Sequence, residues 1–407
     1  MKAMKPKQNL FFTAVISLFI ITFAACVPKE YTITGEIPQA EGKTVLLSSG
    51  LGFVKTSLDR TVVRDGKFQF QGKHLSPELL TIKVSLTDET EVTNTPPRSV
   101  PHPVIPVFVT EGTLHIEAVL DSIPLENFSG IYDYTKVTIT GSEMHDLYAM
   151  YMKHKIRFAN AHGEAQQAYS AYLQKRTERR ISEGIEAVTK LEAVADSRKE
   201  FVKIFIEQNR NNVVGAHVFH ENISLFSVAE IEAIMASFPV VVRAAYFNKQ
   251  VLEGINTIKG AAVGAKYIDF TLNDTKDSPV RLSDHLGKGK YVLLAFWIPS
   301  SLFHVDISHL KEVYELYHPE GLEVISISMD ADKARWLKAV EEEQMPWIQI
   351  SDPKDFQGMT YKAYNANAIP SYVLISPDGL IADRNMRDSW MDKKLIELYG
   401  NKFGDKY

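Results

Sequence analysis

The chain has 407 residues, of which 45% are apolar, 23% charged and 10% aromatic, a balance that excludes a disordered chain and leaves room for two or three domains. Its 45 basic and 50 acidic residues leave a net charge of −5, which argues against a nucleic-acid binder led by phosphate contacts. One cysteine, Cys26, excludes an intramolecular disulfide, a Cys-x-x-Cys pair and a cysteine-rich zinc site.

The first 25 residues have the layout of a secretory signal peptide: Lys2, Lys5 and Lys7, then an apolar run from Leu10 to Ala25. Phe23-Ala24-Ala25-Cys26 resembles a bacterial lipobox, with Phe23 where an aliphatic residue is commoner. That resemblance implies cleavage before Cys26 and lipidation of it, tethering the chain to a membrane without a spanning helix. Losing three lysines and no acid shifts the charge from −5 to −8.

From 26 to 141 the pattern is that of short strands, predicting a β-sandwich or open barrel. Tyr31–Ile37 alternates, Thr44–Leu47 follows a glycine turn, and Val62-Val63-Arg64 leads through Asp65-Gly66 into Lys67–Gln71, a hairpin signal. Further strands are expected at 79–86, 104–109, 113–119 and 137–139, with the proline-rich stretch 95–103 as a loop. Over 142–260 the period turns helical. Leu147, Met150 or Tyr151, Met152 and Ile156 keep a stripe, Ser227-Val228-Ala229-Glu230 reads as a capping box, and Phe238-Pro239 marks a break.

From 261 to 407 strands and helices alternate, predicting an α/β domain with a mixed sheet. Tyr291–Trp297 reads as a buried strand and Phe303, Ile307, Leu310, Tyr314 and Tyr317 as one helix face. Strand 322–328, helix 332–343, strand 347–350, helix 356–364, a hairpin around Pro377-Asp378-Gly379 and a terminal helix complete it.

Phe270-Thr271-Leu272, Val280-Arg281-Leu282-Ser283-Asp284, Leu293–Trp297, Gly321–Ser328 and Ala368-Ile369-Pro370-Ser371 together resemble the thioredoxin-like TlpA/ResA proteins of the AhpC/TSA group. Redox members of that group follow the Phe-Trp strand end with Trp-Cys-x-x-Cys opening a helix, where amides and dipole lower the attacking cysteine's pKa. Here the segment reads Ile298-Pro299-Ser300-Ser301-Leu302-Phe303-His304, one residue shorter. Ser300 or Ser301 aligns with the first family cysteine and Phe303 or His304 with the second. Neither register supplies sulfur, and exchange runs only through a mixed disulfide.

Ser300 and Ser301 suit a helix cap better than a nucleophile, since a positioned base and oxyanion site are also needed. Asp306 and His309, three apart, form too small a set to expect a metal, and His102, His285 and His304 read as surface residues. Trp336 and Trp347 read as core or rim aromatics. The resemblance further implies a cis peptide before Pro370, next to a groove where backbone pairs with an extended polypeptide. Trp297, Ile369 and Pro370 are its candidate lining.

The expectation is therefore a lipid-anchored module of the bacterial cell envelope, at the outer membrane on its periplasmic or surface face. It would bind an envelope protein or extended peptide, without cofactor, metal or nucleic acid. The alternative implied by the resemblance is thiol:disulfide interchange or peroxide handling.

Overall fold

A computed structural model describes residues 28–49, 56–86, 101–126, 133–175, 180–287, 289–299, 303–354, 358–366 and 369–406, with the side chains of 303–305 and 405 outside the description. Residues 1–25, Cys26, Ser300 and Ser301 therefore lie outside the described residues, and Phe303 and His304 are placed only as the first positions of a helix.

The N-terminal strands are β1 (Lys29–Glu36), β2 (Thr44–Ser49), β3 (Thr56–Val62), β4 (Lys67–His74), β5 (Glu78–Val84), β6 (Val104–Val109), β7 (Gly112–Ala118) and β8 (Val137–Thr140). They form two four-stranded sheets ordered β4-β1-β7-β8 and β3-β2-β5-β6. Alternation along each strand points Ile33, Phe68, Phe70, Leu114 and Ile116 of one sheet at Val45, Leu47, Leu80, Ile82 and Val107 of the other, giving one sandwich core.

The hairpin expected at Asp65-Gly66 is corrected here. The turn forms, with positive φ at both residues (51° and 71°) and Arg64 bridged to Lys67. Its arms then part: β3 pairs with β2 in one sheet and β4 with β1 in the other. A two-residue turn sets the direction of its flanks but not the ladder each joins.

Among the described residues the α-helices that follow are α1 (Glu143–Gln174), α2 (Ile181–Gln208), α3 (Val213–Glu221), α4 (Val228–Ser237), α5 (Val240–Tyr246) and α6 (Lys249–Gly260). Their starts are written in the sequence. The Ser142 hydroxyl accepts from the His145 N–H at 3.1 Å, and Ser227 and Glu230 form the complete capping box. Tyr148, Tyr151, Phe205, Phe219, Phe238 and Phe247 build the helical core, which Phe108 of β6 joins to the sandwich. At the far end of the α1–α2 pair, Tyr169, Tyr172, Val188 and Leu191 pack with Trp390. Gly184 allows this approach, because a Cβ there would lie 2.3 Å from Ser389 Oγ and 2.5 Å from the Tyr172 ring.

The C-terminal unit contains β9 (Thr271–Asp274), β10 (Pro279–Arg281), β11 (Tyr291–Trp297), α7 (Phe303–Tyr317), β12 (Leu322–Ser328), α8 (Lys333–Glu343), β13 (Ile348–Ser351), α9 (Met359–Ala363), β14 (Ser371–Ile375), β15 (Ile381–Arg384) and α10 (Ser389–Tyr399). The sheet order is β10-β9-β13-β12-β11-β14-β15, with β11, β12 and β13 parallel and β14 antiparallel to β11. This is the expected mixed sheet of a thioredoxin-like domain. The apolar run of β11 serves both faces. Leu293, Ala295 and Trp297 enter the core under α7, α8 and α10, while Val292, Leu294 and Phe296 pack on the opposite face with Tyr364.

Candidate functional site

The C-terminal ends of β11 and β12 and the start of β14 meet at one edge of the sheet, the crevice where open α/β sheets place ligands. The register pairs Phe296 with Ser371, so Pro370 lies beside the end of β11. Its peptide bond with Ile369 is cis, and both residues are half-buried. The Met329 N–H donates to the Trp297 carbonyl at 2.8 Å, closing the end of β12 over the same edge. Trp297 itself is 1% exposed and packs with the core on the α7 side. Its indole cannot face a bound polypeptide, which corrects its place in the expected groove. Of the three expected lining residues, Ile369 and Pro370 keep surface there.

The first turn of α7 carries Asp306, 3% exposed. Arg387, from the segment between β15 and α10, donates from Nε to Oδ1 at 2.7 Å and from Nη2 to Oδ2 at 2.8 Å. That bidentate fork is the strong form of a carboxylate–guanidinium contact. Burial pushes the Asp306 carboxyl above its ordinary value against the pull of Arg387. Burial also opposes charge on Arg387, but the Asp306 carboxylate outweighs it and raises the guanidinium pKa. One turn along, His309 Nε2 lies 2.7 Å from Asp392 Oδ1 of α10. Asp306 and His309 are thus turned to separate partners and do not share a ligand.

The His309 contact has a pH signature. Burial lowers its pKa, yet Asp392 more than compensates and the net shift is upward. A raised folded pKa means that this stabilisation is complete below the unfolded value of about 6.5 and fades as pH rises through the folded value. Thermal melts across pH 6 to 9 are expected to lose part of their downward slope in His309→Gln. An unchanged slope would assign the pH dependence elsewhere.

Arg387 and Asp392 were not found by sequence reasoning. They lie 81 and 83 residues from their partners, and no local pattern marks them. Trp336 is buried on α8, and Trp347 Nε1 donates to Ser326 Oγ at 2.6 Å, so both belong to the core. His102 Nδ1 accepts from the Leu86 N–H at 3.0 Å.

Among the described residues one trio, Glu36, His115 and Glu117 on β1 and β7, brings metal-ligand atoms within 4.8 Å of one another. Lys67 holds Glu36 at 2.9 Å, and Thr34 Oγ1 lies 2.8 Å from His115 Nδ1. No helix among the described residues is long and apolar enough to cross a membrane.

Residues 263–384 match the AhpC/TSA family model, and residues 31–148 match a domain of unknown function, DUF4369. The chain is 30% identical over 139 residues to the thiol-disulfide oxidoreductase ResA of Geobacillus kaustophilus, covering 34% of this chain and 76% of that protein. It is 27% identical over 121 residues to ResA of Geobacillus thermodenitrificans, covering 30% and 67% respectively. Among solved structures, a thiol-disulfide oxidoreductase from Bacteroides fragilis matches with a TM-score of 0.31 and 26% identity, covering 33% of this chain and 98% of that one.

Proposed function

Because this chain belongs to the ResA-like thiol-disulfide oxidoreductase family of thioredoxin-fold proteins, yet holds its one cysteine at position 26, we propose that it is a binding module without redox turnover. The observation that carries this reading is the stretch from Ile298 to Asp306, which has no sulfur where the family's chemistry needs two. Disulfide interchange would require Cys26, far away in sequence and without a resolving partner, or a second protein supplying both thiols.

The described ends of β11, β12 and β14 meet at an edge that carries the half-buried Ile369 and Pro370. Its occupant in this reading is an extended polypeptide of the cell envelope, and the chain is held at a membrane through lipid on Cys26. The lysine-led apolar leader and the Phe23-Ala24-Ala25-Cys26 sequence support the anchor.

Two measurements on the purified chain test the reading. Insulin reduction driven by dithiothreitol is expected to run at the uncatalysed rate, and multiple turnovers would overturn the proposal. Reduced, carboxymethylated α-lactalbumin is expected to bind, with Ile369→Ser weakening capture about tenfold and leaving the melting temperature nearly unchanged. Equal capture by the variant and the parent would remove this edge as the binding site.

A further inference from the structure

The fully exposed residues of α5 are all apolar, and its one charged residue, Arg243, is half-buried with Nη1 donating to the Ala236 and Phe238 carbonyls. Val240 and Val241 are 71% and 72% exposed, and Ala244 and Ala245, one turn on, are exposed beside them. The face continues onto the loop after β4, where Leu75 is 63% exposed and Ser76 Oγ lies 3.5 Å from the Ala245 carbonyl. Two large neighbouring aliphatics at this exposure, with alanines between them and the loop, form a contiguous apolar patch rather than scattered surface residues.

Its position names its occupant. The antiparallel register of β1 and β4 pairs Lys29 with His74, so Leu75 follows at the same end of the sheet where β1 begins. Cys26 precedes Lys29 by three residues, a reach of about 10 Å at full extension. A bilayer holding the acyl chains on Cys26, or holding the run Leu10–Ala25 itself, starts within that distance of the patch-bearing end. Lys73 and Lys249 at the rim are 65% and 91% exposed, each beside a glutamate, which leaves aliphatic burial as the main attraction.

We propose that the α5 face and Leu75 dock on the lipid bilayer that anchors the chain, setting the orientation of the protein on the membrane. This rests on the anchoring proposed above, and the test separates the two. The full chain is reconstituted into phosphatidylethanolamine–phosphatidylglycerol vesicles with brominated acyl chains, and flotation reads the anchor. Val241→Trp adds an indole at the patch, and Met359→Trp adds one at a C-terminal position that is 79% exposed. The parent chain supplies the baseline from its own 4 tryptophans.

The expected result is flotation of all three proteins, with the added Val241→Trp emission quenched roughly twofold and that of Met359→Trp unquenched. Flotation without excess quenching at 241 overturns the docking and leaves the anchor standing, as does equal quenching at both positions. A concentration-dependent blue shift of Val241→Trp without vesicles would assign the face to a second copy and also overturns it. Failure to float removes the anchor and the docking together.

Discussion

Replacing Arg387 with alanine is expected to lower the stability of the C-terminal domain by about 3 kcal/mol, because it leaves a buried carboxylate without its cation. Asp306 has 3% exposure, while the side chain of Arg387 is 48% exposed, so the loss falls on the carboxylate. Burial alone already drives the Asp306 carboxyl upward, and Arg387 is the main opposing influence. Without it the carboxyl rises further and takes up a proton more readily in the folded state.

The sign of the pH effect follows. A folded pKa raised above the unfolded one penalises the ionised form, so the deficit of Arg387→Ala is larger at pH 8 than at pH 5. Replacing both partners by apolar residues, Asp306→Leu with Arg387→Met, is expected to recover most of the loss. Urea unfolding followed by circular dichroism at the two pH values measures all three. A deficit below about 0.5 kcal/mol, equal at both pH values, would show that the pair is not holding α7 to the segment before α10.

Trp297→Ala is expected to cost about 3–5 kcal/mol, the range for removing a large aromatic from a packed interior. The indole is among the largest fully buried side chains, and it shares its core with Ile307 and Leu310 of α7 and Tyr372 of β14. The resulting cavity would lie directly beneath the Ile369–Pro370 edge. Capture of unfolded polypeptide should therefore fall together with the melting temperature, unlike in Ile369→Ser. A Trp297→Ala protein that keeps its melting temperature but loses capture would mean the ring touches ligand, contrary to its burial.

The periods, the Ser227–Glu230 capping box and the absent chemistry are all legible in the order of the residues. Alternation at Tyr31–Ile37 and the run Tyr291–Trp297 announced a half-buried and a fully buried strand, because burial on one face or two writes itself into consecutive residues. The Ser227–Glu230 box marked a helix start for the same local reason, since a cap bonds within one turn. The missing sulfur at Ile298–Asp306 is a property of the residues themselves. What the tertiary structure alone decided is which distant groups meet. It sent the arms of the Asp65-Gly66 turn into different sheets, set Arg387 on Asp306 across 81 residues, turned Trp297 inward, and left Val240 and Val241 of α5 facing out. Each of these depends on how layers stack, and neither a ladder partner, an ion-pair partner nor a covering surface leaves a mark within a few residues of the chain.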